Sequence, residues 1–294
     1  MSDNEEAAPG DGFWVRFWGV RGSIPCADAA MARYGGNTAC LEVRCGTRTL
    51  VFDLGSGAPN LGRDLLGRGV ADVDVFITHA HLDHVVGLPF FSPFYRGEFS
   101  ARLWAGPLSG SVSTRDMVQQ LMREPFLPIT PDIFRAAIDY RDLQPGSAVT
   151  PHPGIAVSTV ALNHPGGCLG YRVDYAGKSI CYISDTEHVP GQPDSDILSF
   201  IAGADIVIYD ATFTDEEFMP CRGYGHSTWR EGAALCDSAG ADLFVVFHHH
   251  TEHDDATMDA IADDLRRARP NSVVAREGLI LTPRRSDHDG HNPT

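Results

Sequence analysis

The sequence lacks the segments that secreted and membrane-spanning proteins require. Its first dozen residues, MSDNEEAAPGDG, have neither the basic start nor the apolar core of a signal peptide. No run within the 294 residues approaches the roughly 18 consecutive apolar residues of a membrane span. We therefore expect a cytoplasmic protein that makes no contact with a membrane.

Closely spaced cysteine pairs are also missing, because none of the cysteines forms a CxxC motif. This scattered arrangement favours buried free thiols over a disulfide framework or a thiolate zinc site. The seven cysteines, most of them with apolar or small neighbours, are Cys26, Cys40, Cys45, Cys168, Cys181, Cys221 and Cys236.

Positive charge is scarce, since 23 Lys and Arg residues stand against 39 Asp and Glu residues and the net charge is −16. Nucleic-acid binding depends largely on Lys and Arg side chains that neutralise phosphates. A long DNA or RNA partner is therefore disfavoured. A small anionic substrate remains compatible with this charge if metal cations dominate the field at the site.

The hydrophobic pattern predicts one domain over residues 13–283, between polar tails at 1–12 and 284–294 that we expect to be disordered. Hairpins and short strands dominate the first half, which favours two sheets covered by helices over a single parallel sheet. The predicted strands are 13–20, a hairpin around 45–46, 73–78, 102–105, 155–162, 168–175, 179–184, 206–209 and 243–247. The predicted helices are 59–69, one after position 84, 114–123, 196–202, 229–238 and 257–268.

One short stretch, ITHAHLDHVVG, carries His79, His81, Asp83 and His84 directly after a predicted buried strand. A tight loop at that place would direct several of these side chains into one cavity. Imidazole and carboxylate together suit zinc, manganese or iron, whereas magnesium and calcium prefer oxygen ligands alone. Three of the thirteen histidines fall within six positions, which favours a metal loop over a polar surface loop.

Three further residues with the same chemistry follow predicted strands: His164, Asp185 and His248. Each alone is typical of a turn or a helix cap. Together they would supply the second half of a two-metal site. The sequence leaves open whether His248, His249 or His250 is the last ligand, and we prefer His248 because it follows the apolar VVF directly.

With this HxHxDH motif and the ordered His, Asp and His that follow it, the chain resembles the metallo-β-lactamase superfamily over residues 13–282. Within the superfamily it is similar to the phosphodiesterase branch, which includes tRNase Z-like and cyclic phosphodiesterase-like enzymes. The resemblance implies an α/β fold of four layers, the αββα sandwich, and a homodimer. It also implies two divalent metal ions, zinc before manganese or iron. His79, His81 and His164 would hold one ion; Asp83, His84 and His248 the other; Asp185 would bridge them.

Two later segments favour the phosphodiesterase branch. YDATFTDEE, with Asp210, occupies the place of the HEAT segment of tRNase Z, and GYGHSTW, with His226, matches the HST segment. Aspartate replaces glutamate here, so the contact between Asp210 and His226 stays open. We expect Asp83, Asp210 and His226 to act in catalysis, with His226 protonating the leaving alkoxide or donating to a phosphoryl oxygen. The other interpretation of the GYGHSTW segment is a helix entry capped by Ser227 or Thr228.

These residues predict hydrolysis of a phosphodiester by water that two metal ions convert to hydroxide. Only 21 positions separate His164 from Asp185, which leaves no room for the arm that grips tRNA in tRNase Z. The predicted substrate is therefore small, a cyclic nucleotide or a cyclic sugar phosphate. The alternatives are a glyoxalase II-like thioesterase, tRNase Z-like RNA 3′ processing, and a non-catalytic sensor on the same fold.

Two other parts of the sequence have interpretations that only a structure can decide. Asp53 in FDLGSG is predicted to accept hydrogen bonds from backbone amides of the metal loop rather than to act in catalysis. The segment 117–134, with the proline-rich EPFLPITP, is expected to form one wall of the pocket or an oligomer contact. Its Phe126 and Phe134 are compatible with the core or with a platform beside the substrate.

Overall fold

Two mixed seven-stranded sheets form the centre of the protein in the computed structural model, which describes residues 12–106 and 112–284. Strand order is β14-β1-β2-β3-β4-β5-β6 in the first sheet and β13-β12-β11-β10-β9-β8-β7 in the second. In chain order the strands are β1 (Phe13–Gly19), β2 (Cys40–Cys45), β3 (Arg48–Phe52), β4 (Asp72–Ile77), β5 (Ser100–Ala105), β6 (Ala137–Asp142), β7 (Ala148–His152), β8 (Ile155–Leu162), β9 (Cys168–Tyr175), β10 (Lys178–Ile183), β11 (Ile206–Asp210), β12 (Leu243–Phe247), β13 (Ser272–Val274) and β14 (Ile280–Leu281).

Helices cover the outer face of each sheet and complete four layers. Apolar side chains of α1 and α3 pack with β3, β4 and β5, while those of α4, α6 and α7 pack with β10, β11 and β12. The helices are α1 (Ala58–Gly67), α2 (Leu82–Val85), α3 (Thr114–Leu121), α4 (Ser195–Phe200), α5 (Asp215–Phe218), α6 (Trp229–Ala239) and α7 (Asp255–Ala268). The predicted αββα sandwich is therefore confirmed. No helix in the described ranges is long and apolar enough to cross a bilayer.

Aromatic side chains fill the space between the two sheets. Phe52 is buried there, with its ring centroid 5.3 Å from that of Phe76, 5.4 Å from that of Tyr171 and 6.1 Å from that of Tyr182. Phe52 is the last residue of β3, and Tyr182 is the penultimate residue of β10. This aromatic group therefore packs the two sheets together at the ends of β3 and β10, next to the loops that follow these strands.

The structure corrects several sequence predictions. The region between β5 and β8 contains two strands, β6 and β7, that were missed because their half-exposed, polar sequences lack a buried strand's apolar run. The helix expected after His84 begins earlier, at Leu82, because His81 is extended and occupies the N-cap position. All cysteines are free thiols, but Cys26 and Cys221 lie in surface loops and are only half-buried.

Two Phe→Ala substitutions test the role of the aromatic group. Phe52→Ala should lower the free energy of unfolding by roughly 3–5 kcal/mol, because it leaves a cavity between the sheets. Phe126→Ala is the matched control, since Phe126 is 83% exposed, and it should change that free energy by less than about 0.5 kcal/mol. Urea unfolding measures both, and equal losses would contradict this account of the core.

Candidate metal centre

Polar side chains from several strand ends meet at one edge of the sandwich. Strands β10, β11 and β12 run parallel, so their carboxyl ends lie at the same edge. Asp185 comes two residues after β10, Asp210 ends β11, and His248 directly follows β12. From the facing sheet, the loop after β4 brings residues 79–84 to the same place. The predicted ligand positions therefore converge through strand topology.

The first group of donors consists of His79, His81, His164 and Asp185, whose ligand atoms lie within 4.8 Å of one another. His164 Nε2 is 2.9 Å from His81 Nδ1 and 3.7 Å from Asp185 Oδ2. His79 Nε2, 3.6 Å from the same carboxylate oxygen, is buried without a hydrogen-bond partner. A buried polar atom without a partner is costly, so a cation in this position would satisfy it.

The second group contains Asp83, His84, His248 and the same Asp185, again with ligand atoms within 4.8 Å. His84 Nε2 and His248 Nε2 are each 3.2 Å from Asp185 Oδ1. Asp83 Oδ2 is 3.2 Å from His248 Nε2. Asp185 therefore presents Oδ1 to one group and Oδ2 to the other, as a carboxylate between two cations would.

The structure separates the three consecutive histidines at 248–250. His248 has φ 62°, an uncommon backbone conformation for a non-glycine residue, and its ring lies in the donor group. His249 is buried in another direction, with Nε2 2.8 Å from the carbonyl oxygen of Ala275. His250 belongs to neither donor group among the described residues. Of the three, only the His248 ring lies among the donor residues, as the ligand prediction requires.

Burial and donor chemistry both fit divalent cations. Burial lowers the pKa of His79 well below its usual range, and it also lowers the pKa of His164. Neutral imidazole is the form that coordinates a metal. Neutral imidazoles together with carboxylates are a donor set that suits zinc and its transition-metal neighbours.

The other ring nitrogen of several histidines is held by a defined partner. His84 Nδ1 lies 2.8 Å from Asp53 Oδ2, His164 Nδ1 lies 2.7 Å from the carbonyl oxygen of Gly225, and His248 Nδ1 lies 2.9 Å from Thr212 Oγ1. Such contacts set ring orientation and would leave Nε2 free to bind an ion.

Asp53 accepts more hydrogen bonds than its sequence context indicated. The backbone amide of Thr78 donates to it at 2.8 Å, in agreement with the predicted role, and Tyr182 donates its hydroxyl at 2.9 Å. The carboxylate is fully buried and also holds the His84 ring. Asp53 therefore links both sheets to the metal loop.

Asp210 and His226 are in contact despite the shorter aspartate side chain. Their Oδ2 and Nδ1 atoms are 2.9 Å apart, and His226 Nδ1 is 3.9 Å from Asp185 Oδ2. Burial alone would lower the pKa of His226, but the Asp210 carboxylate outweighs it and raises the pKa to about 9.

The N-terminal cap of α6 is Thr228, whose hydroxyl accepts a hydrogen bond from the backbone amide of Glu231. Because Thr228 makes the cap, His226 is not needed for it, and its ring lies beside the second donor group.

Sequence reasoning missed Glu187, which holds the loop in front of α6. Its Oε2 accepts the amides of Gly223 at 2.6 Å and Gly225 at 3.0 Å. Gly225 has φ +88°, and a Cβ atom there would lie 2.3 Å from His164 Nδ1. The glycines of GYGH were the available signal, because they mark a backbone that approaches another group closely.

Comparisons with known proteins agree with this geometry. A family model described as the β-lactamase superfamily domain matches residues 51–249. Ribonuclease Z of Gemmatimonas aurantiaca is 26% identical over 333 residues, covering 93% of this chain and 98% of the relative. Ribonuclease Z of Methanopyrus kandleri is 27% identical over 307 residues, covering 92% of this chain and 98% of the relative.

The fold is shared with a solved structure. The metallo-β-lactamase fold protein YhfI from Bacillus subtilis superposes with a TM-score of 0.69 at 18% identity, covering 92% of this chain and 99% of the other. The predicted superfamily is thus confirmed, and its class, a metal-dependent hydrolase, agrees with the family model and the relatives. The chain belongs to the β-lactamase superfamily.

Proposed function

We propose that the chain is a metal-dependent phosphodiesterase. The observation that carries the proposal is the Asp210–His226 pair, 2.9 Å apart and next to the bridging position of Asp185. Such a pair supplies a proton donor, which an alkoxide leaving group needs and a thiolate leaving group needs much less. The ribonuclease Z relatives, whose name denotes cleavage of RNA, support the same type of bond.

The proposed metal ligands divide into two sets that share Asp185. His79, His81 and His164 would hold one divalent ion, and Asp83, His84 and His248 the second, with zinc favoured by the donor set. When bound, such ions neutralise charge on phosphoryl oxygens and make water more acidic.

The chain's own residues would then orient substrate and move protons. Asp210 accepts the hydrogen bond from His226 Nδ1, which leaves Nε2 to donate a proton to the departing alkoxide oxygen. Asp83 Oδ2 accepts a hydrogen bond from the backbone amide of Ser23 at 2.7 Å, which holds the carboxylate in place. In this proposal Asp83 accepts a hydrogen bond from the attacking water. Thr212 donates to Asp210 Oδ1 at 2.7 Å and so holds the pair in place.

The short stretch of chain between His164 and Asp185 favours a small substrate. β9 and β10 fill it as a hairpin that turns at Ala176 and Gly177, so no arm projects there. We therefore propose a small phosphodiester such as a cyclic nucleotide or a cyclic sugar phosphate. RNA 3′ processing is the second candidate, and the relatives named ribonuclease Z are the observation that favours it.

A substrate panel tests the proposed function. Protein of known metal content should hydrolyse bis-4-nitrophenyl phosphate and leave S-lactoylglutathione intact, because the Asp210–His226 pair serves an alkoxide leaving group. Cleavage of the thioester alone would contradict the proposal. Efficient trimming of a tRNA precursor would show that the substrate is RNA and not a small diester. The reaction would still be hydrolysis of a phosphodiester.

Removing the proposed proton donor should separate turnover from metal binding. His226→Ala is expected to lower kcat for a diester by roughly 100-fold or more with an unchanged metal content, because only proton transfer is lost. His250→Ala is the matched control and should turn over normally. If His226→Ala keeps the turnover of the wild type, His226 does not participate.

The consecutive histidines also allow a direct test of the ligand assignment. His248→Ala should retain about one ion fewer per chain than the wild type, since the second set loses a donor. His250→Ala should retain the full complement. Inductively coupled plasma mass spectrometry of the purified variants measures both, and the reverse pattern would assign the ligand to His250.

A further inference from the structure

An apolar groove of ≈ 560 Å³ lies along the metal loop and α2. Its walls include Leu82, Val86, Phe90, Met117, Leu121 and Phe126. Of the described residues that line it, only Gln120 has a polar side chain. The groove therefore offers large apolar surfaces and almost no hydrogen-bonding groups.

The groove shares a wall with the metal centre. Ala80 and Leu82, which line it, stand on either side of His81 in the sequence. Val85, the last residue of α2, and Val86, its C-cap, also line the groove and directly follow His84. Consecutive Cα atoms are about 3.8 Å apart, so the backbone of this segment carries both the groove wall and the proposed ligands, although no proposed ligand lines the groove itself. Leu82, between His81 and Asp83, is exposed and lines the groove, so a substrate held through its phosphate at the ligands and passing over Leu82 would enter it.

Three large apolar side chains of the groove are unusually exposed: Phe126 at 83%, Leu82 at 66% and Phe90 at 56%. Contiguous exposed apolar surface of this kind marks a binding site in a soluble protein. Phe126 is therefore not a core residue, whereas the partly buried Phe134 packs against Phe94 and Tyr95. Of the two interpretations left open by the sequence, Phe126 fits the platform and Phe134 fits the core.

The size and chemistry of the groove point to one kind of occupant. Its volume lies within the roughly 300–1,000 Å³ of small-molecule sites. A stable protein partner would need about 800 Å² of buried surface on each side, far more than three exposed side chains provide. Sugar hydroxyls would lose hydrogen bonds against these walls, whereas a flat heterocycle stacks on phenylalanine rings.

We propose that this groove binds a nucleobase, so that the substrate of the proposed phosphodiesterase carries a base and is a nucleotide diester, not a sugar phosphate. The proposal rests on the proposed function for the position of the phosphate. Phe126 and Phe90 are the specificity-determining residues, and Leu82, which belongs to the metal loop, lines the same groove.

Calorimetric titration of the metal-loaded protein with adenosine 5′-monophosphate and with ribose 5-phosphate tests the proposal without requiring turnover. These two probes share the phosphate and ribose and differ by the base. Adenosine 5′-monophosphate should bind at least roughly tenfold more tightly, the usual scale for one base stacked on aromatic side chains. Phe126→Ala and Phe90→Ala should each reduce that ratio, and Ile133→Ala, an exposed apolar residue outside the groove, should preserve it.

Equal affinity for the two probes, no binding of the nucleotide, or a ratio that both phenylalanine variants leave unchanged would overturn the proposal. Gel filtration of the same samples tests the other occupant, a second copy of the chain. If Phe126→Ala converts a dimer to a monomer, the groove is part of a contact between two copies. Hydrolysis of bis-4-nitrophenyl phosphate is measured separately, so failure of base recognition is distinguishable from failure of the phosphodiesterase assignment.

Discussion

The carboxylate of Asp185 is the group on which the candidate site depends. It is buried at the end of β10, with one oxygen 3.2 Å from His84 and His248 and the other 3.6 Å from His79. A buried carboxylate is expensive unless positive charge or hydrogen bonds compensate it. Burial alone would lower the pKa of His84, but Asp185 and the other nearby carboxylates outweigh it and raise that pKa well above its usual range, so the site attracts positive charge. Two cations, one on each side, would satisfy the carboxylate and the imidazole nitrogens together.

The rest of the fold makes this arrangement rigid. Asp53, buried between the sheets, holds the ring of His84 and the amide of Thr78, while the backbone of Gly225 holds the ring of His164. Glu187 fixes Gly225 in turn through a hydrogen bond to its amide. Because each ring is oriented by a partner that is itself fixed, a bound ion would need little reorganisation of the protein.

Much of the fold, and the clustering of the candidate ligands, could be predicted from the sequence, because both follow from local patterns. Apolar runs define the strands, and His164, Asp185 and His248 follow them within a few residues. Contacts made through backbone atoms leave no such pattern: the glycines of GYGH indicate a close approach of the backbone, but they do not identify Glu187 as its partner. β6 and β7 were missed because a half-exposed strand has no distinctive apolar run. The reach of Asp210 to His226 depends on the path of the loop before α6, which spacing alone does not fix.

The central claim is that Asp185 organises a site for two metal ions. Metal-free protein titrated with Zn²⁺ in a calorimeter tests it most directly, with Asp185→Asn as the variant, because that change keeps the side-chain shape and removes the charge. We expect about two ions per chain in the wild type and a loss of at least one in the variant. A wild-type stoichiometry of one ion, or two ions retained by a folded Asp185→Asn variant, would contradict the account.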